Sequence, residues 1–364
     1  MKKRVTAEII AVLVLAVTAL AAFVWPGFLS ASRKTAPLPG NDAAARSVPG
    51  RELRVYFIDV GQGDSTLITD GTHTVLVDAG DRDHGNKVYS LLHEASGDAH
   101  IDMLIITHDH ADHTGGLSKI LKDCRADIIL APGFEGENLS ALSGLLEAQR
   151  QHGAQVRVPE NNETLWAGDI RLDLHRMGRD AGNENDGSII TRVQYGEAVF
   201  LLMADAGVEA ETDWLMHSAL PDLSCNVLRV GHHGSQTSTS RRFLEAVIPE
   251  HAVISAGKDN TYGLPDAETV SRLAAIGCNP WITAEVGTVV AVTDGESLSL
   301  RSVIPLESDV GTAPYIGNKK TLKLHQRDCS SVSAMSDKNK VGFDSPEEAF
   351  RQGYEPCSVC RPGQ

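Results

Sequence analysis

The stretch Thr107-His108-Asp109-His110-Ala111-Asp112-His113 places three histidines and two aspartates within six residues, directly after the apolar run Ile101 to Ile106. The run reads as a buried strand whose end points into solvent. Imidazole and carboxylate are ligands that zinc prefers, and a loop leaving a strand end can turn His108, His110, Asp112 and His113 inward without distorting the sheet. Ordinary surface loops are built from Gly, Ser, Asn and Asp rather than from closely spaced histidines, so a metal site is the expectation here. The pair Gly115-Gly116 then lets the backbone pass close to whatever is bound, before a helix that starts near Leu117.

A second set of candidate ligands lies near the other end of the chain, where His325-x3-Cys329 is followed by Cys357-x2-Cys360. One imidazole and three thiolates can close a tetrahedral zinc with no open position, which marks a structural site. Disulfide pairing is the competing reading, and an even cysteine count of 6 suits it. Zinc is favoured because metal alone accounts for His325. Haem attachment is excluded because Arg361, not histidine, follows Cys360. Cys124, Cys225 and Cys278 stand in apolar surroundings and read as buried thiols.

The elements that must carry these groups follow from apolar patterning. Leu53 to Val60 reads as a strand, Gly61-Gln62-Gly63 as a turn, Ser65 to Thr69 as the returning strand and Thr74 to Gly80 as a third. Ile189 to Gln194, Val199 to Asp205 and Asn226 to Val230 read as further strands, the last running into His232-His233-Gly234-Ser235. Helical stretches at Leu139 to Gln151, Val208 to Ser218 and Ala267 to Ala275 alternate with them, and strands near Thr288 to Val292 and Ser297 to Arg301 close the series. Two sheets with helices outside account for this order. The loops Glu160 to Thr164 and Arg179 to Gly187 are expected to rim the site.

Taken together, these features resemble the metallo-β-lactamase superfamily, whose signature has the form HxHxDH. The resemblance implies a four-layer αββα sandwich of the α+β class with a site for two zinc or manganese ions. It implies that His108 and His110 hold the first ion, and Asp112 and His113 the second. Asp205 matches the carboxylate that bridges the ions, and a last histidine ligand comes from His232 or His233; strand alternation does not say which. The runs FIDVGQGDS, LVDAG and HHGS, with Ser255 to Pro265, are similar to the soluble hydrolase part of the ComEC proteins of bacterial DNA uptake. By that likeness Asp59, Gln62, Asp64 and Asp78 stand near the site, supporting ligands or shaping loops, with plain turn chemistry as the other reading. Asn185-Asp186-Gly187-Ser188 matches a segment where many relatives carry a histidine ligand, so Asp186 is a candidate to complete the first zinc, turn formation again being the alternative. Asn185, Ser188, Asn260 and Tyr262 are the remaining supporting candidates. Two positions depart from the pattern. Leu264 replaces a histidine before the proline, removing a possible acid or phosphate contact, and Met203-Ala204 replaces the usual Thr-Gly. The likeness spans about Arg51 to Val303, giving a hydrolase domain over 51–305, while 315–364 resembles the small zinc-binding module of the Ada DNA-repair proteins, often appended to exported nucleases.

Met1-Lys2-Lys3-Arg4 and the largely apolar run Ile9 to Trp25 have the basic and hydrophobic regions of an export signal, which predicts an extracytoplasmic protein. Residues 1–30 are either cut near Ser30-Ala31-Ser32 or kept as a membrane anchor, since the run's 17 residues fall at the lower limit for a spanning helix. Residues 31–50, rich in Ala, Ser, Pro and Gly, read as a flexible linker. Between Arg51 and Pro305 there are 19 Lys and Arg against 38 Asp and Glu, whereas Leu306 to Gln364 carries 8 of each. Non-specific DNA affinity is largely phosphate neutralisation by Lys and Arg, so this body repels a polyanion over most of its surface. Local attraction is expected from the metal ions and from Lys319, Lys320, Lys323 and Arg327, a tail patch that reads as a nucleic-acid contact or as a solvated face. The expected function is an exported dinuclear metallohydrolase in which Asp205 bridges the ions and Asp112 orients the hydroxide as well as ligating. By family analogy its substrate is a phosphodiester, foremost single-stranded DNA. A hydrolase of lactones or other small esters remains open, and so does a non-catalytic DNA-binding envelope protein, against which the complete ligand set argues.

Overall fold

Strand alternation builds two faces on each of two sheets. The computed structural model describes residues 51–97, 99–177, 183–258, 260–303 and 310–363. The expected export signal and linker lie outside the described residues, as does 178–182 of the second loop. Six strands open the first sheet: β1 (Leu53–Phe57), β2 (Thr66–Thr69), β3 (Thr74–Val77), β4 (His100–Ile105), β5 (Arg125–Leu130) and β6 (Gln155–Arg157). The second sheet takes β7 (Glu163–Ala167), β8 (Ile170–His175), β9 (Ile190–Tyr195), β10 (Ala198–Leu202), β11 (Val227–Arg229), β12 (His251–Ile254) and β13 (Pro280–Ile282). The chain then returns through β14 (Thr288–Thr293) and β15 (Leu298–Val303) to the first sheet, whose order is β15-β14-β1-β2-β3-β4-β5-β6. The second runs β13-β12-β11-β10-β9-β8-β7.

In β10, Ala198, Phe200 and Leu202 join the core between the sheets, while Val199, Leu201 and the following Met203 face the outer core. Leu53, Val55 and Phe57 of β1 and Met103 and Ile105 of β4 supply the other half of the inner core. Outside the first sheet lie helices α1 (Gly85–Ser96), α2 (Ala111–Thr114), α3 (Leu117–Asp123) and α4 (Ser143–Gln151). Val88, Leu92, Leu117, Ile120 and Leu146 from α1, α3 and α4 pack on its outer face. Helices α5 (Val208–His217), α6 (Arg241–Val247) and α7 (Ala267–Ala275) cover the second sheet through Trp214, Phe243, Leu244 and Leu273. The result is the αββα sandwich. A third sheet, β18-β16-β17-β19, is formed by β16 (Tyr315–Asn318), β17 (Lys323–Gln326), β18 (Lys340–Phe343) and β19 (Glu355–Pro356). Helix α8 (Pro346–Arg351) lies over it, with Leu324, Val341, Phe343 and Ala349 as its small core.

Several strands stop earlier than their apolar runs suggest, and each stop serves the site. β3 ends at Val77 because Asp78 takes a left-handed φ of 58°, and β10 ends at Leu202, two residues before Ala204 at φ 48°. The helix expected over Leu139 to Gln151 is broken at Leu142 into Glu137–Ala141 and α4. The sequence also hides α2, a single turn inside the HxHxDH motif. Parallel pairing of β3 with β4 (Val77 opposite Ile105) and of β10 with β11 (Leu202 opposite Arg229) brings the carboxyl ends of four strands to one edge. Such ends are where open α/β sheets expose loops for ligands.

Gly115 and Gly116 have a different task from the one expected. A Cβ on Gly116 would lie 2.1 Å from the Ala79 carbonyl oxygen, and one on Gly115 would lie 2.5 Å from the Arg82 amide nitrogen. They let two backbone segments pass one another, and Gly115 also lines the open cavity beside the site. Gly116→Ala is therefore expected to destabilise the fold by about 1–3 kcal/mol or more, whereas Gly144→Ala in α4 serves as a control that meets no neighbour. Chemical denaturation of both variants checks the difference, and equal midpoints would show that the close approach is not limiting.

Candidate metal centre

The loops after β4, β10 and β11 bring their polar side chains to one point. Nε2 of His113 and of His233 lie 3.3 and 3.4 Å from Oδ1 of Asp205, and Nε2 of His108 lies 3.7 Å from its Oδ2. Nε2 of His233 is also 3.3 Å from Oδ2 of Asp112. Two groups emerge, each with its ligand atoms within 4.8 Å of one another: His108, His110 and Asp205, and Asp112, His113 and His233. Nε2 of His108, His113 and His233 and Oδ1 of Asp205 are buried without a hydrogen-bond partner among the described residues. Buried polar atoms are rarely left so, and four of them converging fit a cation as the missing partner.

The ring nitrogens that face away from this point are fixed. Asp78 accepts from Nδ1 of His113 at 2.7 Å and from the Thr107 amide and hydroxyl at 2.8 and 2.7 Å. The Thr107 hydroxyl is in turn 3.0 Å from Nδ1 of His108. Nδ1 of His233 donates to the Ser255 carbonyl at 3.0 Å. Outer hydrogen bonds of this kind set the tautomer and aim Nε2 inward. Charges follow the same geometry. Against the opposing effect of burial, Asp205 and Asp112 hold His233 up at about 9, and Asp205 and Asp78 raise His113 well above an ordinary histidine. Burial and the neighbouring His113 push His108 well down. Despite burial, His233 and His113 hold Asp205 far below the usual carboxylate range and Asp112 at about 2.

Residues 58–258 match the family described as the metallo-beta-lactamase superfamily. The chain belongs to that superfamily. It is 29% identical over 258 residues to ComE operon protein 3 of Bacillus subtilis (strain 168), covering 65% of this chain and 33% of that protein. It is 29% identical over 231 residues to competence protein ComA of Neisseria gonorrhoeae (64% and 31%) and 30% identical over 226 residues to recombination protein 2 of Haemophilus influenzae (60% and 26%). The chain thus spans about a third or less of the length of these curated relatives. It is a metallo-β-lactamase-fold protein of a generally hydrolytic superfamily, related to competence proteins, and the fold usually binds divalent metal ions such as zinc.

Within this superfamily site, the other candidate residues divide clearly. His233 joins the cluster, whereas His232 stands at its rim, 4.0 Å from Asp205 and 3.3 Å from the Asn185 amide. Asp186 does not join it. One of its oxygens accepts from the Gly207 amide at 3.0 Å and the other from the Asn183 side chain at 2.7 Å, so it ties two loops together as a turn former. Asn185, one residue earlier, lines the cavity instead. Asp59 is also turn chemistry: its carboxylate accepts from the Gly61 amide, with Lys87 3.5 Å away. Gln62 lines the cavity, and its side-chain oxygen accepts from the Gly257 amide. Asn260 staples its loop through Gly257 and Leu264, which leaves Tyr262, 74% exposed, at the cavity mouth. Ser188 is buried beside Ile189, whose amide donates to the Thr107 carbonyl. The cavity, about 850 Å³, is rimmed by Asp81, Arg82, Asp83 and Asn138, which no motif marks, and not by Glu160 to Thr164, part of which forms edge strand β7. Sequence reasoning also missed Thr107 and Arg229; only the polar character of Thr107 inside an apolar run hinted at a role.

In the tail, His325, Cys329, Cys357 and Cys360 bring four ligand atoms within 4.8 Å of one another. The cysteines are unbridged, the buried Nδ1 of His325 has no partner among the described residues, and the amides of Gln326 and Val359 point at the sulfurs of Cys360 and Cys357. These four fit a closed zinc site. The basic patch is less available than its sequence suggests. Lys323 is paired with Glu355, and Arg327 donates to the carbonyls of Ala313 and Val310, while Lys319 and Lys320 are exposed. Cys124, Cys225 and Cys278 are buried thiols, with burial pushing Cys124 up to about 12.

Two outcomes follow. A cation entering the cluster must displace the protons that the carboxylates hold on His113 and His233, so zinc uptake by metal-free protein at pH 8 should release protons, and apparent affinity should fall as pH is lowered. Calorimetry in two buffers of different ionisation enthalpy reads this; His233→Ala should weaken uptake far more than His232→Ala. In the full-length protein, chelation should expose the tail to trypsin at Lys319 and Lys320, and reductant alone should not. The reverse dependence would establish a disulfide.

Proposed function

We propose that this chain is an exported dinuclear-zinc phosphodiesterase acting on DNA. The observation that carries the metal centre is the convergence of unpartnered Nε2 atoms of His108, His113 and His233 on Asp205. His108, His110 and Asp205 would hold one ion, and Asp112, His113, His233 and Asp205 the other. The chemistry such ions supply is polarisation of the scissile group and activation of water near neutral pH. Asp205 joins the two ligand groups because its two oxygens face different histidines. Asp112, which also lines the open cavity, orients the attacking water. Arg82 is the one Lys or Arg among the cavity-lining residues described, and it offers a fixed positive charge to a phosphate oxygen outside the cluster. Exposed Tyr262 at the mouth offers a ring against which a base can stack. DNA as the substrate is supported by the relatives, two of which carry competence or recombination in their names. The tail would be a structural zinc module, and the N-terminal segment would export or tether the protein.

Hydrolysis of lactones or other small esters is the second reading, favoured by the acidic rim at Asp81 and Asp83 and by the excess of acidic residues over the body. A panel of a bis-aryl phosphate, long single-stranded DNA and aryl esters or lactones separates them. Asp205→Asn should abolish every activity, because an amide neither bridges two cations as strongly nor offsets their charge. Arg82→Gln should raise KM for the phosphodiesters with little change in kcat. Ester turnover with untouched phosphodiesters would establish the second reading; a zinc-loaded protein that binds DNA and cleaves nothing would be a binding protein.

A further inference from the structure

Arg229 is fully buried at the end of β11, and its guanidinium reaches four groups around the cluster. Nη1 donates to the carbonyl of Ala204 at 2.9 Å, one residue before Asp205, and to the Val230 carbonyl at 2.6 Å. Nε lies 2.8 Å from Oδ2 of Asp64, an ion pair without hydrogen-bond geometry, and Nη2 lies 3.4 Å from Nδ1 of His233. Asp64 belongs to the other sheet, in the loop between β1 and β2. Its amide donates to the Asp112 carbonyl at 3.1 Å, its carbonyl accepts from Gly80, and its carboxylate accepts from the Ser255 hydroxyl at 3.3 Å. The Ser255 carbonyl in turn holds His233. Ala204 is in the left-handed region at φ 48°, where a residue with a Cβ is held only if its surroundings fix it.

The two halves of the cluster come from different sheets. His108, His110, Asp112 and His113 follow β4 of the first; Asp205 and His233 follow β10 and β11 of the second. We propose that the Arg229–Asp64 pair is the positioning device that sets the separation of these halves, Arg229 fixing the Ala204 turn that presents Asp205 and Asp64 fixing the Asp112 loop and Ser255. A buried ion pair is often matched or exceeded in stability by apolar residues of the same volume, so stability alone does not account for one in this place. The proposal rests on the reading of the cluster as a metal centre, and it is independent of the substrate.

The test uses the full-length protein, stripped of metal and titrated with zinc against a chromophoric chelator, with thermal unfolding of the metal-free form as the measure of fold. The variants are the paired replacements Arg229→Met with Asp64→Leu and Arg229→Gln with Asp64→Asn, which leave no lone buried charge, and the conservative Arg229→Lys. Both paired variants should unfold cooperatively yet bind zinc about 10–100-fold more weakly in the body, and Arg229→Lys, which keeps the charge on a single nitrogen, should recover part of the loss. A folded paired variant with native zinc affinity would overturn the proposal. So would loss of cooperative unfolding in both pairs, which would make Arg229 a folding element. Native protein that takes up no zinc in the body would instead sink the metal-centre reading itself.

Discussion

Too many like-natured ligand atoms in too little water is the constraint on which this structure turns. Three imidazole nitrogens and a carboxylate oxygen are buried facing one another without hydrogen bonds. Left to themselves, these groups oppose charge to charge, Asp205, Asp112 and Asp78 favouring the cationic forms of His113 and His233 against burial. A desolvated arrangement of this kind stands only if each residue is fixed from behind. The outer partners do that: Asp78 with Thr107 and His113, the Ser255 carbonyl with His233, and Arg229 with the Ala204 carbonyl.

Much of the backbone's irregularity is explained by the same demand. Asp78, Ala204, His232 and His233 all take positive φ, at the strand ends that supply the site. Each such residue costs about 1 kcal/mol or more relative to regular backbone, and the inner and outer cores of both sheets hold them in place. Gly115 and Gly116 let the motif's helical turn cross the Ala79 to Arg82 segment within hydrogen-bonding range, the Gly116 amide donating to Gly80. Rigidity at the edge is thus supplied by close-packed layers below it.

Electrostatics at longer range pulls the other way. The body carries twice as many acidic as basic residues, and Lys323 and Arg327 of the tail are engaged by Glu355 and by backbone carbonyls. Attraction for an anionic substrate would therefore be concentrated at the cavity, at any bound ions and at Arg82. Divalent ions held by ligands of which only Asp112 and Asp205 are carboxylates would bring net positive charge to this buried, polar cluster.

What is local can be read from the chain alone. HxHxDH after an apolar strand, the alternation in β1, the apolar runs of β4 and β10, the helical stretches of α5 and α7 and the spacing of His325, Cys329, Cys357 and Cys360 are all properties of short segments, set by residue type and by periods of 2 and 3.6. Together with the family likeness they made the sandwich legible. What depends on direction is set by the packing of the layers. It turned His233 inward and left His232 at the rim, a choice that two successive left-handed residues make and that strand alternation does not encode. It assigned Asp186 to Gly207 and Asn183, and Asn185 to the cavity. It gave Lys323 a partner 32 residues away and joined Arg229 to Asp64 across the two sheets. Contacts at such separations arise only when the layers have packed, since hydrogen-bond partners are fixed by distances in space and not by position along the chain.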